Sequence, residues 1–124
     1  MKKLIAIGAA GSLGALARTL LGLWLPAEGG FPAGTLAANV AGAFILCFLA
    51  ERARQWIIAD DTAYDAVTVG FLGSFTTFST FSAEAFHLFE TDWPLAAVYM
   101  ITSVAGGLAA GALGFLLGGR RVSA

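Results

Sequence analysis

The side chains of this sequence best suited to do chemistry gather between residues 70 and 86, in the run GFLGSFTTFSTFSAEAF. Hydroxyls of Ser74, Thr76, Thr77, Ser79, Thr80 and Ser82 are threaded there among Phe71, Phe75, Phe78 and Phe81. The phenylalanines recur at intervals of four, three and three, which on a continuous helix would make a slowly drifting apolar stripe, the pattern of a core face. Hydroxyl and β-branched residues placed after two glycines compete with helical hydrogen bonding, so the segment is expected to break near residues 73–77. Backbone freed in that way inside a membrane has to line a cavity or bind an ion. Two chemistries follow. Hydroxyl donors and the positive edges of phenyl rings form an uncharged surface suited to a small anion, replacing part of its hydration shell without trapping it. Freed carbonyls instead offer oxygen ligands to a hard cation such as Na⁺.

Other polar side chains stand where apolar ones would pack more cheaply. Arg18 lies inside the first apolar stretch, where it either pairs or snorkels, or else raises the local positive potential and favours anions. Asn39 comes one turn into PAGTLAANVAGAF; its carboxamide has two N–H donors and no net charge, and serves either as a helix-joining group or as an anion donor. Tyr99, Ser103 and Gly107 recur every four residues, which puts a phenol and a hydroxyl on one helix face. Glu84 and His87 fall near the end of the hydroxyl-rich segment. Glu84 is the costlier of the two to bury, and His87 reads as an interfacial residue.

The composition says what must hold these groups. The chain has 124 residues, 58% hydrophobic and 12% charged, where a soluble domain carries about a quarter charged. Most of the sixteen glycines sit inside the apolar stretches rather than in spacers. Four stretches approach the roughly 20 residues needed to cross a hydrocarbon layer. They run over about residues 4–25, 35–49, 66–89 and 95–117, within a single transmembrane domain, 1–124. The expected fold is an all-α integral membrane protein with four transmembrane helices, the third interrupted. Lys2 and Lys3 before an apolar run ending in an A-x-A pattern imitate a secretory signal, but the helical pattern continues through Arg18 to Trp24, so no cleavage is expected.

Lys2, Lys3, Arg52, Arg54, Arg120 and Arg121 fall on one side of a four-span arrangement, and the loops on the other side carry no Lys or Arg. That bias predicts both termini in the cytoplasm. Trp24, Trp56 and Trp93 sit near span ends, as in an interfacial aromatic belt. Small residues at close spacing, Gly8, Gly11 and Gly14, Gly34, Ala38 and Gly42, Gly107 and Gly111, and Gly114 and Gly118, suit helices packed closely in lipid. Four short helices offer little interior for polar groups, which favours an oligomer. The net charge of −1 gives no basic field for nucleic acid, and Cys47 stands alone, so it reads as a small apolar side chain.

Taken together, GAAGSLGALAR, PAGTLAANVAGAF and above all GFLGSFTTFSTFSAE resemble the Fluc (CrcB) family of fluoride channels, in the expected order and over most of the chain. The resemblance implies a channel that exports fluoride passively across the cell membrane and lowers cytoplasmic fluoride. It implies an antiparallel dimer in lipid, formed with itself or with an oppositely oriented paralogue, and containing two pores. Phe78 and Phe81 would then be the pore phenylalanines and Asn39 the pore amide, with Ser79 and Thr80 on the polar track of the same segment. Tyr99 and Ser103 would face the pore from the fourth span. Arg18 and Glu84 match the family's first-span arginine and the acid after the phenylalanine pair. The carbonyls of Gly73 and Thr76 from both subunits would bind a central, structural Na⁺ that is not transported. The one-sided Lys/Arg distribution departs from the balanced loops of dual-topology homodimers, and this favours the paralogue as partner.

Two other classes meet obstacles in the sequence, and a third, an accessory membrane subunit, meets none. A small multidrug-type four-helix transporter needs a membrane-embedded acid, normally in the first span, which here holds Arg18 and no acid. An enzyme is not expected: the only histidine is His87, and no G-x-S-x-G elbow is present. An accessory membrane subunit would tolerate isoleucine at Phe78 and Phe81.

Overall fold

The computed structural model describes residues 1–55 and 61–120. Helix α1 spans Lys2–Trp24 and α2 spans Ala33–Gln55, joined by a turn that includes a 3₁₀ segment, Glu28–Gly30. Gly29 and Gly30 take φ of 63° and 83°, a left-handed conformation that side chains bearing a Cβ adopt poorly. A third composite helix follows. It runs through α3 (Asp61–Asp65), a wider π-helical stretch (Ala66–Leu72) and α4 (Gly73–Phe75), stops, and resumes as α5 (Phe78–Thr91). Helix α6, Trp93–Gly119, completes the described chain. Its start is written in the sequence: the Asp92 carboxylate accepts from the Leu95 N–H at 3.1 Å, and Pro94 occupies the first turn, where no N–H is needed.

Among the described residues all regular structure is helical, and α1, α2 and α6 are each long and apolar enough to cross a membrane. Their large apolar side chains point outward: Leu4, Leu23, Ile101 and Leu108 are exposed, and the buried apolar residues among the described ones are few, half of them alanine. That inverts the packing of a soluble domain and matches a molecule whose solvent is lipid. The helices extend past the apolar stretches seen in the sequence, because hydropathy ends before helical propensity does. Glu51, Arg52 and Gln55 are good helix formers, so α2 continues to Gln55 rather than stopping near residue 49.

The helices are brought together by small residues. Gly114 and Gly118 of α6 lie against the backbone of Phe44 and Phe48, and Gly111 meets Cys47, so α2 and α6 run side by side in the same direction. Gly14 of α1 rests on the backbone of Phe71, and Gly70 on the Ile7 carbonyl, which sets α1 along the π-helical stretch, again in the same direction. Gly34 touches Gly22, Ala38 is fully buried, and Gly42 meets Thr76. Gly8 and Gly107 touch no neighbouring side chain or helix within 4 Å, so these two are not contact points inside one chain.

The Lys3–Asp65 ion pair, 2.6 Å, ties the start of α1 to α3. Together with the α2–α6 contact at Gly118, it puts Lys2, Lys3, Arg52 and Arg120 at one end of the bundle. Trp24 and Trp93 are exposed at the other end, beside the turns. The side chain of Arg54, Trp56 and Arg121 lie outside the described residues.

Candidate functional site

The site is built on the interruption in the third helix. Thr76 and Thr77 are extended, with φ/ψ of −80°/156° and −150°/123°. The break falls inside the window that the hydroxyl run marks out, and the local hydrogen bonds give its cause. Leu72 O accepts from both the Thr76 N–H and the Thr76 hydroxyl, each at 3.0 Å, which closes the first half. Thr77 opens the second half as an N-cap, its Oγ1 accepting from the Thr80 N–H at 3.2 Å. The π-helical stretch just before the break has no counterpart in the sequence reading. Thr68 donates its hydroxyl to the Tyr64 carbonyl at 2.8 Å at its start, and such wide turns recur at functional sites.

Two side chains from other helices hold the interruption. Asn39 of α2 grips the Thr77 peptide from both sides: its Nδ2 donates to Thr77 O at 2.9 Å, and its Oδ1 accepts from the Thr77 N–H at 2.8 Å. Arg18 of α1 spans the gap, with Nε donating to Ser74 O at 3.2 Å before it and Nη1 reaching Thr80 Oγ1 at 3.4 Å after it. Arg18 is therefore engaged inward rather than left to snorkel. The Thr77 hydroxyl also lies 3.0 Å from Thr80 Oγ1 and 3.3 Å from Ser79 Oγ, so Ser79 and Thr80 share one small hydroxyl cluster.

A second polar group forms one turn further along, where Glu84 receives two hydroxyl donors. Thr35 donates to Oε1 at 2.9 Å and Tyr99 to Oε2 at 2.7 Å. Tyr99 is fully buried, its ring 5.6 Å from Phe31 in an edge-on arrangement and 5.3 Å from Phe81. Phe81 in turn lies 6.0 Å from Phe78, centroid to centroid. An unbroken aromatic row thus runs from the buried Tyr99 to Phe78, which is 80% exposed on the single chain. The Ser103 hydroxyl is buried and makes no hydrogen bond among the described residues.

The structure brings Arg18, Asn39, Gly73, Thr76, Phe78, Ser79 and Thr80 to the break, and Glu84, Phe81 and Tyr99 to the neighbouring carboxylate cluster. Ser103 stands one helical turn beyond Tyr99 on α6, outside both hydrogen-bonded groups. Thr35 and Phe31 were not singled out by sequence. Thr35 lies one turn before Asn39 on the same helix face, a spacing that carries the only hint of it. Phe31 sits in a connecting turn and gives no signal at all. A groove of about 380 Å³ opens beside the break, lined by Asn39, Gly42, Leu72, Gly73, Thr76 and Phe78 among others.

Long apolar helices around a helix break, with amide, hydroxyl and guanidinium groups at the break and an aromatic row beside it, mark a helical membrane protein. The chain matches the family model described as CrcB-like protein, Camphor Resistance (CrcB), over residues 5–115, and it belongs to that family. Among its relatives, "Fluoride-specific ion channel FluC 1" of Bacillus thuringiensis subsp. konkukian is 42% identical over 123 residues, covering 95% of this chain and 90% of the relative. "Fluoride-specific ion channel FluC 2" of Geobacillus kaustophilus is 44% identical over 114 residues, with 90% and 88% covered. A Staphylococcus aureus "Fluoride-specific ion channel FluC 1" is 43% identical over 110 residues, with 88% and 90% covered.

Proposed function

We propose that this chain is a fluoride-selective channel that lets fluoride leave the cell passively. The observation that carries the reading is the Asn39-clamped break at Thr76–Thr77 with Phe78 and Phe81 beside it. Fluoride is small and strongly hydrated, so a corridor for it must replace water with donors that do not hold the ion too long. The second Nδ2–H of Asn39, the Ser79 and Thr80 hydroxyls and the edges of Phe78 and Phe81 are donors of that kind. Arg18 adds positive potential while its hydrogen bonds hold the break. On the far side, Tyr99 and Thr35 are already bound to Glu84, and the Ser103 hydroxyl is left to donate.

The working unit in this reading is an antiparallel dimer in which all four helical segments cross the membrane, with this chain's termini cytoplasmic. Exposure of Phe78 and of the groove beside the break supports a second subunit there. A structural Na⁺ at the centre would be held by the carbonyls of Gly73 and Thr76 from both subunits. The donor set fits a hard monovalent cation: neutral main-chain oxygens at a helix break, two per chain, so that a pair of chains supplies four. When bound, the ion would supply fixed positive charge at the subunit boundary. This chain's own part is to keep those carbonyls unpaired and to hold Phe78 and Asn39 in register.

Fluoride efflux from liposomes carrying the purified protein tests the reading, with chloride as comparison. Fluoride should pass and chloride should not, without a proton gradient. Phe78→Ile and Phe81→Ile should abolish flux while leaving assembly intact. Equal rates for both halides, or full flux in both variants, would refute it.

A further inference from the structure

The break releases carbonyls selectively. In an unbroken helix Gly73 O would accept from the Thr77 N–H, and Thr76 O from the Thr80 N–H. Both donors are diverted to side chains, the first to Asn39 Oδ1 at 2.8 Å and the second to Thr77 Oγ1 at 3.2 Å. Ser74 O, released by the same interruption, is covered again by Arg18 Nε at 3.2 Å. Gly73, Thr76, Thr77 and Asn39 line the groove, whereas Ser74 and Phe75 stand outside its lining. The carbonyls left bare at the groove are those whose donors Asn39 and Thr77 have taken.

We infer that Asn39 and Thr77 are positioning residues for the cation. Each removes the main-chain donor that would otherwise occupy one carbonyl, so two side chains that touch no metal set how strongly the carbonyl pair binds it. The inference rests on the sodium reading above and adds control from α2, through Asn39, over a site on the third helix. The physical basis is competition for lone pairs. A carbonyl that already accepts an N–H presents a weaker field to a cation, and without the Asn39 amide the Thr77 N–H is free to turn back toward Gly73 O as the helix rewinds. Asn39 opposes that rewinding from both sides, since its Nδ2 pulls on Thr77 O at 2.9 Å.

The test is a sodium titration of the purified full chain, with N-methylglucamine as the replacement cation and the thermal unfolding midpoint as the readout. The wild-type midpoint should rise with sodium and saturate. Asn39→Ala and Thr77→Val should each raise the half-saturating sodium concentration by about tenfold or more, the loss seen when a residue supporting a metal ligand is removed. Thr77→Ser keeps the capping oxygen and should restore wild-type titration. Ser82→Ala, whose hydroxyl only returns to Phe78 O, should not shift it. If Asn39→Ala does not assemble, Thr77→Val carries the comparison, because it leaves the Asn39 grip in place. Wild-type titration in Asn39→Ala or Thr77→Val would overturn the inference even if fluoride flux were lost, and the sodium reading would survive. No sodium response in the wild type, assembled as a dimer with itself or with its oppositely oriented paralogue, would remove the sodium reading and the inference with it.

Discussion

The carboxylate of Glu84 is held by two hydroxyls from two different helices, and this can be measured as a coupling. Tyr99→Phe removes the donor at 2.7 Å but leaves the ring packed against Phe31 and Phe81. Thr35→Val removes the donor at 2.9 Å with little change in shape. A typical hydrogen bond is worth about 0.5–1.5 kcal/mol net in water-soluble proteins. Double-mutant cycles inside membranes average about 0.6 and reach about 1.7 kcal/mol, because the unfolded chain also finds partners. The Glu84 bonds are short, 2.7 and 2.9 Å, which places each at the upper end of that range, about 1–1.7 kcal/mol. Because both donors serve one carboxylate, the losses should not add: the first variant leaves one donor in place, and the second strips the carboxylate bare. The Tyr99→Phe/Thr35→Val double variant should therefore lose more than the sum of the single losses. Glu84→Gln should destabilise the wild type but cost about 1–2 kcal/mol less in the double-variant background. Reversible unfolding in detergent micelles, run on all members of the cycle, reads the coupling. An equal cost for Glu84→Gln in both backgrounds would show that the two hydroxyls do not hold the carboxylate, and the description of that cluster would be wrong.

Three further expectations follow from the packing. Gly14→Ala would bring a Cβ within 2.9 Å of the Phe71 carbonyl carbon, a backbone atom that cannot swing aside, and should cost about 1–3 kcal/mol, while Gly8→Ala meets nothing and should be near neutral. Parallel unfolding curves for the pair separate the two, and equal losses would contradict the close crossing of α1 and the π-helical stretch. Arg18→Lys replaces a fork that reaches Ser74 O and Thr80 together with a single ammonium, so fluoride flux should fall although the charge is kept; unchanged flux would mean that charge alone matters at this position. The Lys3–Asp65 pair is partly exposed, with side-chain exposures of 47% and 31%, so Lys3→Met should lower stability by no more than about 1 kcal/mol and less in high salt.

The sequence alone determined the medium, the number of apolar stretches and the place of the break. These are local properties: apolar runs long enough to span lipid are counted residue by residue, and Ser and Thr after glycine compete with their own backbone wherever the chain is placed. The start of α6 is local in the same sense, since the Asp92 cap acts within one turn, although hydropathy alone begins that span only near residue 95. Tertiary structure decided what the break is for. Asn39 lies 38 residues before Thr77, and only the approach of α2 turns an amide in an apolar run into a grip on that one peptide. Arg18 could be read as a snorkelling side chain until its guanidinium was seen to reach both halves of the third helix. Thr35 gained a role only because α6 carries Tyr99 to the other oxygen of the same carboxylate. The π-helical stretch was not legible either. Gly70 and Phe71 of that stretch lie against α1, a neighbour that a one-dimensional pattern does not contain.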